Sequence, residues 1–304
     1  MPDLRDVYRR VRRSVVAFIP RAVPVKRPGA RPSFFPIVGT GFVVGSDGIL
    51  ATNHHVLELA SKLPRPPGSP PGEWPFVGLM FAECERGFVE VPLDVIGLVT
   101  IEDMMPGQAY YGPKRPDIGL VRVRRRGLPA LDIDAEMLIE EGVELATAGF
   151  PMGTAALTAP GWLHQLCPTL QKGIVSSVMP FPCKAPHAFT LNVMVQGGAS
   201  GSPVFHPETG AVHGVVYGSL MDATKTDGGD FVELPTNISY AVPAHFLQAL
   251  VKNASAKLPE LPPDTPDLDG DLERALREGD YQELTPESEF SISSTTKMRV
   301  RQRE

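Results

Sequence analysis

The chain has 304 residues, 42% of them hydrophobic, and a formal net charge of -6. That length and apolar share allow a substantial core in two domains or two lobes of one, and exclude a chain too polar to fold. An acidic balance with no Lys/Arg cluster interleaved with aromatics offers no electrostatic footprint for nucleic acid.

The 32 prolines and 29 glycines suit many short strands joined by turns, so an all-β fold is expected. Three cysteines, Cys84, Cys167 and Cys183, show no Cys-x-x-Cys spacing, which indicates neither a zinc site nor a disulfide framework. Cys167 and Cys183 could pair only in an exported protein. The N-terminal stretch carries Arg9, Arg10, Arg12 and Arg13 and lacks the apolar run of a signal peptide, and no run is long enough to cross a bilayer. A soluble, cytoplasmic protein without membrane contact is the expectation.

In chain order, Leu4, Val7, Tyr8 and Val11 form one apolar face of a short helix with an arginine-rich outer side. Val15 to Ile19 reads as a strand, and Pro20 to Pro36 as a surface loop. Ile37 to Val44 and Gly48 to Ala51 read as a hairpin around Asp47-Gly48, which delivers the chain to Thr52-Asn53-His54-His55-Val56. Residues 61–75 hold six prolines and are expected to be an excursion between strands. Strands resume at Phe76 to Phe81 and Phe88 to Thr100. After a loop, Asp117 to Val123 reads as a strand with an acid at its mouth. Further strands are expected at Val143 to Phe150, Gly173 to Val178, Ala188 to Val195, Val204 to Phe205, Val212 to Tyr217 and Ile238 to Val242, then a closing helix at Ala244 to Ala254. Short strands at this spacing indicate a barrel or sandwich.

Beyond Lys257 the composition changes: residues 260–290 hold eleven acids against two bases. Residues 255–304 are therefore expected to be a proline-rich acidic linker and tail outside the core, partly disordered, with one helix over Asp271 to Leu284 and a basic end.

Gly197-Gly198-Ala199-Ser200-Gly201-Ser202-Pro203 sets serines among residues that let the backbone turn tightly and face several N–H groups toward one point. Such a run reads either as an ordinary turn or as a nucleophile's loop. A histidine at the end of one strand, an acid at the start of another and a serine in such a turn are the groups that acyl transfer requires. The imidazole takes the hydroxyl proton, and the carboxylate fixes its tautomer.

The local sequences around these residues add specificity. Gly39-Thr40-Gly41-Phe42-Val43-Val44, Ala51-Thr52-Asn53-His54-His55-Val56, Asp117-Ile118-Gly119-Leu120, Gly149-Phe150-Pro151-Met152-Gly153, Gly173-Ile174-Val175-Ser176, Gly198-Ala199-Ser200-Gly201-Ser202-Pro203 and Ser239-Tyr240-Ala241-Val242-Pro243 follow one another in order. Over about residues 14–254 the chain resembles the trypsin-like serine proteases, in particular the bacterial Deg-type (HtrA-like) branch. The resemblance implies two six-stranded antiparallel β-barrels, at about 14–128 and 129–243, with the active site between them. It implies a polypeptide substrate, no cofactor and no metal. His55 would be the base, with His54 at a variable position, Asp117 its orienting acid and Ser200 the nucleophile. Gly198 and Ser200 would supply the oxyanion N–H groups, with Ala199 as an additional candidate. The residue six before the nucleophile lies at the floor of the primary pocket in the family. Here it is Met194, beside Val195, which implies small or medium apolar side chains on the acyl side of the cleaved bond.

Two departures from the family pattern bear on regulation. Ala199 replaces an acid that pairs with a newly cleaved N-terminus in many secreted relatives, so activation by that route is not expected. The residues after Ala254 are too few and too acidic for the PDZ domain usual in the Deg-type branch. A catalytically idle member that binds peptides or a partner through the cleft is the alternative reading. A third is an effector or processing module with the tail as docking element or autoinhibitor.

Overall fold

Two sets of six strands, one in each half of the chain, close into separate antiparallel barrels in the computed structural model, which describes residues 3–21, 37–85, 87–102, 115–151, 168–181, 185–225 and 231–283. The first set is β1 (Val15–Pro20), β2 (Gly39–Gly45), β3 (Ile49–Thr52), β4 (Phe76–Cys84), β5 (Gly87–Thr100) and β6 (Gly119–Val123). The second is β7 (Glu144–Gly149), β8 (Thr169–Met179), β9 (Ala188–Leu191), β10 (Pro203–Phe205), β11 (Val212–Lys225) and β12 (Phe231–Pro243). The first barrel runs β1-β2-β3-β6-β5-β4 and back to β1; the second runs β7-β8-β9-β12-β11-β10 and back to β7, the same order relative to its first strand. Closure removes the unpaired edges that an open sheet would expose.

Strand alternation places the cores. Along β5, Val89, Val91, Leu93 and Val95 face inward, while Glu90, Pro92 and Asp94 face solvent. Phe18, Leu50, Phe76, Met80, Leu93 and Val121 fill the first barrel, and Leu145, Val175, Phe189, Val204 and Val216 the second. Two further clusters join the barrels: Val15, Ala17 and Leu79 meet Ala146, Ala148 and Phe205, and Phe42, Ala51, Ile118 and Leu120 meet Val212, Val215 and Val242.

Among the described residues four α-helices decorate this frame. Helix α1 (Leu4–Arg12), capped by Asp3, lays Val7 and Val11 into the first joining cluster. Helix α2 (His54–Ser61) follows β3 directly and buries Val56, Leu57 and Ala60. Helix α3 (Ala244–Ala254) covers the second joining cluster with Leu247, Leu250 and Ala254, within its expected bounds. Helix α4 (Leu268–Glu278) ends at Gly279, whose φ of 74° is the left-handed conformation that terminates helices.

The acidic segment differs from expectation. Residues 258–283 fold back onto the first barrel as a strap, with Leu268 and Ala275 in its core cluster and Pro259 against Gly97. Arg126 exchanges backbone bonds with this segment, donating to the Pro266 carbonyl and accepting from the Leu268 N–H, and strand β13 (Gln282–Glu283) adds to β5. Two of the acids are tertiary partners: Arg124 pairs with Asp264 at 2.5 Å, and Arg125 with the buried Asp271. The helix starts three residues before the expected Asp271 and ends six before the expected Leu284, because Leu268, Leu272 and Ala275 make its inner stripe. The basic end beyond Glu283, and Cys167 and Cys183, lie outside the described residues. Among the described residues no helix is long and apolar enough to cross a membrane.

Candidate active site

The turn from β3 into α2 and the start of β6 meet at Asp117. Helix α2 has no side-chain cap from Asn53, and the His55 N–H in its first turn donates instead to Asp117 Oδ1 at 3.0 Å. Asp117 Oδ2 takes the bond from His55 Nδ1, and Asn53 Nδ2 donates to the Asp117 carbonyl at 2.6 Å. The acid is therefore pinned at backbone and carboxylate. With Nδ1 committed to a carboxylate, the neutral imidazole carries its lone pair on Nε2. His55 sits on a helix rather than at a strand end, and this lets one carboxylate orient both its ring and its backbone.

His54 is turned to other work. Its Nε2 accepts from the Arg115 guanidinium at 2.8 Å, its Nδ1 is buried without a partner among the described residues, and Arg115 also donates to the Glu102 carbonyl. A guanidinium only donates, so this ring nitrogen is the acceptor and His54 is engaged with Arg115.

Ser200 lies between Gly198 and Gly201, with φ of 95° and 89°. Gly201 is required twice over: a Cβ there would fall 2.0 Å from the Thr40 carbonyl oxygen and 2.3 Å from Thr52 Oγ1. This close approach docks the serine turn onto the first barrel. Thr40 N donates to the Ser200 carbonyl at 2.8 Å, and Thr52 Oγ1 to the Thr40 carbonyl at 2.6 Å. On the other side, Gly201 N donates to the Val216 carbonyl at 2.8 Å. Ser200 thus hangs from β2, the strand beside β3, and β3 leads into His55.

Of the three N–H groups expected to face the cleft, that of Ala199 donates to the Gln196 carbonyl at 3.1 Å and is spent on the turn. Those of Gly198 and Ser200 have no partner among the described residues. Met194 and Val195 diverge: Met194 is 43% exposed, whereas Val195 is buried with Ala199, Val204 and Val216. Ser239 Oγ donates to the Val193 carbonyl at 2.6 Å and Ser219 Oγ to that of Val195, which fixes this segment on β11 and β12. Any contribution of Val195 to a pocket is thus through its backbone.

Residues not singled out from the sequence complete the surroundings. Tyr217 stacks on Tyr240 with ring centroids 5.7 Å apart. Burial pushes the Tyr217 hydroxyl up to about 12, with Tyr240 and the Asp117 carboxylate adding to the shift. Thr40 is fully buried between two glycines, a position at which a hydroxyl needs partners, and that burial was the missing signal. Among the described residues no group of His, Cys, Asp and Glu is arranged to hold a metal ion.

A carboxylate-oriented imidazole, a serine in a glycine-shaped turn and two unspent N–H groups are equipment for acyl transfer. The family model of the trypsin-like peptidase domain matches residues 39–215, a span that holds all of these groups. The chain belongs to the trypsin-like peptidase family. Solved structures similar to this peptidase include the serine endoprotease from Yersinia pestis, at 14% identity and a TM-score of 0.48, covering 83% of this chain and 66% of that one. The HtrA-type protease AlgW with a tripeptide is 15% identical with a TM-score of 0.48, covering 83% of this chain and 64% of that one. AlgW with a decapeptide is 14% identical with a TM-score of 0.48, covering 83% and 68%. The peptidase thus spans about two thirds of those chains. None of the curated proteins matches the sequence.

Proposed function

We propose that this peptidase is a serine endopeptidase that hydrolyses peptide bonds through an acyl-enzyme on Ser200. The observation that carries the reading is the bond of His55 Nδ1 to an Asp117 carboxylate that is itself held by the His55 N–H and by Asn53. A carboxylate anchored in this way has a single task, to present Nε2 as a base. Nε2 takes the Ser200 hydroxyl proton as Oγ attacks the peptide carbonyl, and the oxyanion forms against the Gly198 and Ser200 N–H groups. The imidazolium returns its proton to the leaving amine as the C–N bond breaks. Water then repeats the sequence on the acyl-enzyme, releasing the acid and restoring Ser200.

For specificity, Met194 is 43% exposed and no acid adjoins it in sequence to pair with a basic side chain. The proposed preference is for small or medium apolar residues on the acyl side of the cleaved bond. Preferred cleavage after Arg or Lys in a peptide library would refute it. Partner binding through the C-terminal segment would have to displace the Asp264 and Asp271 contacts or use residues beyond Glu283.

The deciding experiment is labelling by a fluorophosphonate. Wild type is expected to label and Ser200→Ala to remain unlabelled; a folded wild type that never labels favours the idle, peptide-binding alternative.

A further inference from the structure

In a trans peptide unit the N–H points opposite to the carbonyl, so whatever grips a carbonyl aims the N–H that follows it. The serine turn has two carbonyls gripped by buried hydroxyls. Ser202, 1% exposed, donates from Oγ to the Ala199 carbonyl at 2.5 Å, and its backbone N donates to the same oxygen at 3.1 Å. That carbonyl shares its peptide unit with the Ser200 N–H. Drawing the oxygen inward turns the N–H outward, where it has no partner among the described residues.

Thr40 acts on the preceding unit. Its Oγ1 accepts from Phe150 N at 3.2 Å, which commits its own proton to the Gly198 carbonyl at 2.7 Å. The N–H of that unit, on Ala199, is bonded to Gln196. One unit is therefore locked with its N–H turned in and the next with its N–H turned out. The space for the Ser202 hydroxyl is made by Gly149 at the end of β7. A Cβ at 149 would lie 1.8 Å from Ser202 Oγ and 3.2 Å from Thr40 Oγ1.

The geometry points to Ser202, seated against Gly149, as the positioning residue that aims the Ser200 N–H into the oxyanion hole, with Thr40 holding the neighbouring unit. This rests on the serine-peptidase reading above. Ser202 touches neither substrate nor reacting atoms and acts through the Ala199–Ser200 peptide unit. Its loss lets that unit rock, which weakens a donor needed more by the tetrahedral state than by the bound substrate.

The test uses the full chain with a peptide substrate and a peptide boronate, which forms a tetrahedral adduct on the serine. Ser202→Ala is expected to lower kcat by about tenfold, below the 10²–10³ for outright loss of a donor, with KM within about twofold. Boronate affinity should fall by the same factor as kcat. Gly149→Ala leaves Ser202 in place but takes the space of its hydroxyl, and should give the same pattern by an independent route. The double variant Gly149→Ala/Ser202→Gly refills the volume without restoring the bond, so it should remain impaired. Melting curves identify any variant that is unfolded at the assay temperature. With wild type active, an unchanged kcat and boronate affinity in folded Ser202→Ala, or recovery of both in the double variant, would overturn the inference. A wild type that neither cleaves nor labels defeats the peptidase reading itself and this inference with it.

Discussion

Asp271→Ala should loosen the C-terminal strap without disabling the site. The Asp271 carboxylate pairs with Arg125, their side chains 9% and 11% exposed, and with Arg274 at 2.5 Å. Removing it leaves Arg125 with a bond to the Pro92 carbonyl at 3.2 Å and the charges of Asp94 and Asp267, while its Nε is buried without a partner among the described residues. A guanidinium cannot shed its proton to escape, and stranding a buried charge of this kind costs about 3–5 kcal/mol. Against that, the strap's backbone bonds with Arg126 return about 1 kcal/mol each and burial of Leu268 about 2–3 kcal/mol. Ala275, the Asp264 pair with Arg124 and the pairing of β13 with β5 remain, so the strap opens more often while the barrels stay closed, and Arg125 regains water in each opening. In a Ser200→Ala background, which prevents self-cleavage, added trypsin should cut after Arg274 and Arg277 in the variant and spare them in the parent. Amide exchange in α4 should accelerate by at least tenfold. Peptide hydrolysis in an otherwise wild-type chain should change less than twofold. The Arg125 contact lies eight residues along the chain from Asp117, a span of roughly 26 Å at about 3.3 Å per residue. Unchanged α4 exchange together with unchanged proteolysis would refute the reasoning.

Three other outcomes follow from the site and its surroundings. His55→Ala should abolish hydrolysis, whereas His54→Ala, which removes only the contact with Arg115, should retain most of it; the reverse order would exchange their roles. Asp117→Asn should lower kcat by about 10⁴-fold with little change in melting temperature, because the amide keeps the shape but can present the wrong hydrogen-bonding face to His55 Nδ1. Burial holds the His213 and His245 pKa values below the ordinary value, with Asp134 opposing the shift at His213 and His187 reinforcing it at His245. Below about pH 6.5 the unfolded chain binds protons that the folded chain refuses, so these groups make stability fall as pH falls. His213→Gln should flatten the loss of melting temperature between pH 7 and pH 5, and an unchanged slope would count against that origin.

Much of the fold was readable because strands in barrels declare themselves by alternation. The hairpin around Asp47-Gly48, the strand after Asp117 and helix α3 all fall where glycine, proline and apolar spacing put them. What could not be read was tertiary. Helix α2 is eight residues long and its apolar stripe, Val56, Leu57 and Ala60, spans barely more than a turn. Its sequence reads as the end of a strand. In the strap, the surplus of acids concealed the stripe of Leu268, Leu272 and Ala275, and the Arg124–Arg126 partners lie more than a hundred residues away in sequence. β11 and β12 run several residues past their expected limits because they pair with each other out to Lys225 and Phe231, a contact that neither segment's pattern states. At the site, residue types and order pointed to His55, Asp117 and Ser200. The N–H groups still open among the described residues, and the hydroxyls that aim them, depend on bonds between strands distant in sequence.

The bonds from Thr40 and Thr52 to the serine turn also set when competence can arise during folding. The first barrel leaves the ribosome before Ser200 is made, and the second barrel by itself has nothing to hold the Ser200 carbonyl or to fill the space beside Gly201. On the reading proposed, a half-made or half-unfolded chain carries the serine but not the geometry. Hydrolytic activity therefore reports completed assembly, and the interval in which a folding chain could damage its neighbours or itself is closed by the contacts that join the two halves.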